Sequence, residues 1–103
     1  MNVPLRPLGK IREIVLSTGL DISYAYDDLV FSENSVFILQ FDETFQDRIR
    51  LYFNSDCNSK EAQVLEKRLL IAGQIGEFTI VNSGLFSLEQ KEGKEEIEIR
   101  FHK

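Results

Sequence analysis

Apolar positions recur along this chain with two different periods, and each period predicts its own element. From Leu8 they fall at Leu8, Ile11, Ile14 and Val15, the spacing of one helix face. Pro7 suits a first helical position and Gly19 a stop, so a helix over about 8–18 is expected. The rival over the same residues is a strand at 14–16 turning at Thr18-Gly19, since Ile and Val favour strands. Residues 22–26 and 29–31 read as extended, with Asp27 and Asp28 marking a bend or bulge, and Ser32-Glu33-Asn34-Ser35 is a turn by composition. From Val36 to Phe41 both alternating faces are apolar apart from Gln40, the pattern of a central strand covered on two sides. After a loop over 42–47, residues 48–53 alternate: Ile49, Leu51 and Phe53 on one face, Arg48, Arg50 and Tyr52 on the other.

The clearest helix runs from about Lys60 to Ala72, where Ala62, Leu65, Leu69 and Ala72 make one apolar stripe. Asn58 or Ser59 can cap it, Asn58 with Glu61 resembles a capping box, and Gly73 is placed to end it. Strands at 78–81 and 85–89 follow, separated by an Asn82-Ser83-Gly84 bend, then a turn at Lys91-Glu92-Gly93-Lys94. In the last strand Ile97, Ile99 and Phe101 are expected to face the core, with Glu96, Glu98 and Arg100 outward. The order α-β-β-β-α-β-β predicts one α+β domain over 1–103. Its economical packing is two-layer: a mostly antiparallel sheet of about five strands with two helices on one face. The charged final strand reads as a guarded edge. The expected core comprises Leu65 and Leu69, then Ile49, Leu51 and Phe53, then Ile97, Ile99 and Phe101.

Composition narrows the class of function. A chain of 103 residues buries roughly 65% of its unfolded surface on folding, enough for one core without metal or disulfide. The longest apolar runs, such as Val36-Phe37-Ile38-Leu39, fall far short of the ~20 residues of a membrane helix. Met1 to Lys10 has two prolines and no apolar core, unlike a signal peptide. The single cysteine fits a reducing cytoplasm. Net charge is −5, and acids outnumber bases in both halves, eight to five over 1–51 and nine to seven over 52–103. Nucleic acid and anionic membrane are therefore not expected as partners. The small basic excess of Arg6, Lys10 and Arg12 reads as a solvated entry segment.

The residues that could carry chemistry are few. The one histidine, His102, lies beside the C-terminus and is read as a surface residue, so no nucleophile–base–orienter set forms. Asn54, Asp56 and Asn58 stand at the first, third and fifth positions of a calcium loop, but Ser59 replaces its glycine and Leu65 its final glutamate. They are read as a polar strand-to-helix connection. The pairs Asp27-Asp28, Asp42-Glu43 and Glu95-Glu96 sit in turns or at a strand end and are read as solvated. Gly73-Gln74-Ile75-Gly76 has the G-x-x-G spacing of a nucleic-acid clamp, yet a strand follows it, so it reads as a helix stop and turn. Cys57 precedes a helix N-terminus, where a dipole can favour thiolate, and is read as an ordinary free thiol. Tyr24, Tyr26 and Tyr52 are candidates for a wet sheet face that binds something, or for core and rim packing. No catalytic, cofactor or metal residues are assigned.

The expectation is a non-catalytic cytoplasmic interaction module, whose partner is another protein or a second copy of itself as a homodimer. In element order, size and acidity the chain resembles small acidic bacterial secretion chaperones. That resemblance implies a dimer holding an unfolded segment of a partner; the further helix those chaperones often carry has no counterpart here. A small-molecule-binding or regulatory domain is the other alternative.

Overall fold

The computed structural model describes residues 7–90, 93 and 97–102. Helix α1 spans Leu8–Leu16, with Pro7 at its N-cap and Gly19 beyond its end at φ +87°. Strands β1 (Ile22–Tyr26), β2 (Leu29–Ser32), β3 (Phe37–Phe41) and β4 (Arg48–Asn54) follow. Helix α2 (Ser59–Ile75) then leads to β5 (Thr79–Gln90) and β6 (Ile97–His102). The protein is α+β, as the periodicities predict. The stretch expected to bend at Asp27-Asp28 is a hairpin, because Asp27 takes φ +55° and the two aspartates become a tight turn.

All six strands join one sheet in chain order. Every pairing is antiparallel except that of β4 with β5, which α2 connects as a parallel crossover. Both helices cover the same face. Ile11, Ile14 and Val15 of α1 and Leu65 and Leu69 of α2 bury against Val30, Phe37, Leu39, Phe41, Ile49, Leu51, Phe53 and Ile80. Arg12 fixes α1 to the start of β1 through a two-pronged bond to Asp21, Nε donating at 3.0 Å and Nη2 at 2.9 Å.

Two expectations at the ends of elements are corrected. Gly73 does not end α2: it is buried in the helix interior, and a Cβ there would lie 2.8 Å from Ile80 Cδ1 and 3.2 Å from the Phe78 carbonyl. Glycine stands there so that α2 can approach β5. The helix instead stops at Gly76, and Glu77 takes the left-handed conformation at φ +66°. The Asn82-Ser83-Gly84 bend does not separate two strands either. It is a bulge within one long β5: Leu51 pairs with Asn82 and Tyr52 with Gly84, leaving Ser83 as the extra residue.

The third correction concerns β6. Ile97, Ile99 and Phe101 do not face the helix-covered core. They stand on the opposite side of the sheet, where Ile99 packs on a separate cluster and Ile97 is 63% exposed. The expected turn residues 91, 92 and 94, Glu95, Glu96, and Arg6 near the N-terminus, lie outside the described residues.

Candidate functional site

The second cluster is made by the strands alone. Phe31, Ile38, Tyr52 and Phe86 are buried on the helix-free side of the sheet, with Leu29 and Ile99 packed against them. Register explains the arrangement. Tyr24 pairs with Phe31, Phe31 with Ile38, and Ile38 with Tyr52, so the four side chains form one row across β1 to β4. On the other flank Phe86 pairs with Phe101 and Leu88 with Ile99. Tyr52 joins the flanks, its ring 4.5 Å from that of Phe101.

Two bulges send Tyr24, Phe86 and Leu88 to this face. Along an unbroken strand, residues two apart share a face. In β1, Ile22 pairs with Ser32 and Tyr24 with Phe31, so Ser23 is an extra residue and the parity flips. Ile22 therefore packs on the helix side while Tyr24 faces away from it. The Ser23 hydroxyl holds the bulge by donating to the Ser32 carbonyl at 3.0 Å. In β5 the extra Ser83 does the same: Ile80 lies on the helix side, but Phe86, also even-numbered, lies on the other. Asn82 secures that bulge, its Oδ1 accepting from Gly84 N and its Nδ2 donating to Glu66 of α2 at 2.7 Å.

The result is a groove between the β1–β2 hairpin and the β5–β6 arm. It holds a cavity of about 290 Å³ lined by Tyr24, Phe31, Ser35, Leu88, Ile97 and Ile99. The Tyr24 and Tyr26 rings stand nearly parallel beside it, 6° apart in plane with centroids 6.3 Å apart, and both are more than half exposed. Away from the apolar stretch, Gln40 donates to Asp28 at 2.9 Å. Arg50 donates to Asp42 at 3.2 Å, and Arg48 lies 4.4 Å over the Phe45 ring.

The polar residues singled out by sequence do not converge on this groove. His102 is exposed on β6, its Nε2 2.9 Å from the Ser87 hydroxyl on the neighbouring strand. Asn54 Oδ1 accepts from Asp56 N and its Nδ2 donates to the Ser35 carbonyl, while Asn58 Oδ1 accepts from Lys60 N as the helix cap. These side chains are spent on the strand-to-helix connection. Among the described residues no three His, Cys, Asp or Glu side chains gather as a metal site. Burial pushes the Cys57 thiol pKa up, with Glu61 adding to the effect. Asp42 departs from its expectation as a solvated turn acid. It is buried and accepts from Thr44 N at 2.7 Å and Phe45 N at 3.1 Å. Those backbone bonds, followed by the charges of Arg50 and Arg48, hold its pKa below the ordinary value against the opposing effect of burial.

Of the candidate aromatics, Tyr24, Tyr26 and Tyr52 do share the helix-free face. Phe86 and Leu88 are the residues of this face that sequence reading missed through a parity flip at a serine, which leaves no hydrophobic signature, whereas the two apolar faces of 36–41 already pointed to a second covered side at Ile38. No helix among the described residues is long and apolar enough to cross a membrane. Comparison with protein-family models, with curated proteins and with solved structures finds no significant match.

Proposed function

We propose that this chain is a non-catalytic interaction module that holds an extended segment of another protein in the groove of its helix-free sheet face. The observation that carries this reading is that both free edges of the sheet border one apolar cavity: Tyr24 comes from β1, and Ile97 and Ile99 from β6. A segment laid there takes side-chain contacts from the aromatic floor and main-chain hydrogen bonds from an edge. The net charge of −5 favours a protein over nucleic acid or an anionic bilayer, and one free thiol suits a reducing, cytoplasmic setting. The likeness to secretion chaperones rests on element order, size and acidity.

Titration with short labelled peptides that alternate apolar and polar residues tests the reading. Saturable binding is expected, with slowed amide exchange in β1 or β6, and Ile97→Asp should abolish it. Failure of every extended peptide to bind, or binding indifferent to Ile97→Asp, would overturn it. The cavity volume also admits a small apolar ligand. That second reading is distinguished by a saturable rise in melting temperature with a compound and none with peptides.

A further inference from the structure

The two edges that border the groove are not alike. On β6, Glu98 and Arg100 point away from the groove, and Arg100 Nε lies 3.1 Å from Glu89 of the neighbouring strand. Such charges blunt an edge against added strands. From Ile22 to Tyr26, β1 carries no charged residue and no proline, and among the described residues it pairs with β2 alone. It is the uncharged edge.

The side chains on that edge favour a cation. Tyr24 and Tyr26 present two near-parallel rings 6.3 Å apart, and the midpoint between their centroids is within the distance range of a cation–π contact to each ring. A planar guanidinium entering between the rings needs them to part by on the order of an ångström to reach contact distance on both sides. Both are exposed enough to do so. Asp27 and Asp28 follow at the hairpin tip, so the negative charge lies at the end of the strand where the two rings stand.

Charge also decides between a foreign segment and a second copy. Pairing β1 with its own copy about a two-fold axis centred on Tyr24 sets the Asp27-Asp28 tip of each chain beside Asp21 of the other, where the Arg12 guanidinium is already engaged by Asp21 and brings the tip no uncommitted cation. A basic segment brings that tip an uncommitted cation.

We propose that β1 is the landing edge for an arginine-bearing extended segment of a partner protein, which adds as a further strand and sets a guanidinium between Tyr24 and Tyr26 near Asp27. The assignment rests on the groove-binding function above and specifies its partner chemistry. The step is non-covalent.

Fluorescence anisotropy on the full chain tests it with three labelled peptides that alternate valine with arginine, with serine or with glutamate. The arginine peptide is expected to bind at least about tenfold tighter than the serine peptide, the equivalent of ~1.4 kcal/mol. The glutamate peptide is expected to bind weakest. The double variant Tyr24→Ser, Tyr26→Ser should remove the arginine preference, while Tyr24→Phe, which keeps the ring, should retain it. N-methylation of alternate amides in the arginine peptide should abolish binding, because a strand cannot then pair. Serine and arginine peptides binding equally would overturn the arginine assignment and leave the groove function standing; no peptide binding would overturn both. Undiminished binding of the N-methylated peptide would overturn β1 as its landing edge.

Discussion

A Cβ on Gly73 would meet Ile80 Cδ1 at 2.8 Å, whereas one on Gly9 would meet nothing within 4 Å. Both glycines are helical, so alanine at either gains up to about 1 kcal/mol of helix propensity. Gly9→Ala should therefore raise the urea midpoint, and Gly73→Ala should fail to raise it or lower it. Leu69 has no solvent exposure on the core face of α2, so Leu69→Ala should cost about 2–5 kcal/mol in the same assay. The Leu69 position was legible from spacing. The Gly73 position was not, because a glycine near the end of an apolar stripe looks like a stop until the strand it touches is known.

At the scale of elements, the loop between β3 and β4 is organised by one carboxylate, and its pH response has a definite sign. Backbone amides of Phe45 and Thr44 hold the Asp42 pKa low, and the Arg12 guanidinium does the same for Asp21 between α1 and β1. A depressed folded pKa gives stability that is fully present above the unfolded aspartate value of about 3.9 and is lost as pH falls through the folded value. Denaturation midpoints should thus be flat in this respect above about pH 5 and fall below pH 4. Asp42→Asn should flatten part of that acid slope, and an unchanged slope would remove Asp42 from the account. The α2 cap was visible as Asn58 and its hydrogen bond to Lys60 N bears it out. The burial of Asp42 was hidden, since a loop acid has the same one-letter neighbourhood whether its amides fold back onto it or not.

Across the whole molecule, the sheet separates two apolar clusters of unlike kind. One is sealed by both helices; the other, among the described residues, is bordered by the β5–β6 arm, the side chains of β1 and Ser35. Phe86 has no solvent exposure in the second cluster, so Phe86→Ala should cost about 3–5 kcal/mol even though no helix touches that face. Tyr24→Ser, more than half exposed at the groove wall, should leave the midpoint within about 0.5 kcal/mol of the parent. Equal and large losses from both would mean that the groove is core and has no room for a partner.

The sequence by itself determined the two helices, most of the strands and the α+β class. Helix and strand periods are local properties, and the Leu65–Leu69 stripe and the 48–53 alternation carry them openly. It also bounded the chemistry, with one histidine and one cysteine far apart in the chain. Only the tertiary structure decided which face each strand residue serves. Strand parity counts by twos, so the single extra residues at Ser23 and Ser83 turn Tyr24, Phe86 and Leu88 away from the helices. Ile97, Ile99 and Phe101 follow because they pair with β5. A bulge costs the sequence one polar residue and shows only when the partner strand is in place, which is why a groove built from ordinary core residues was invisible along the chain.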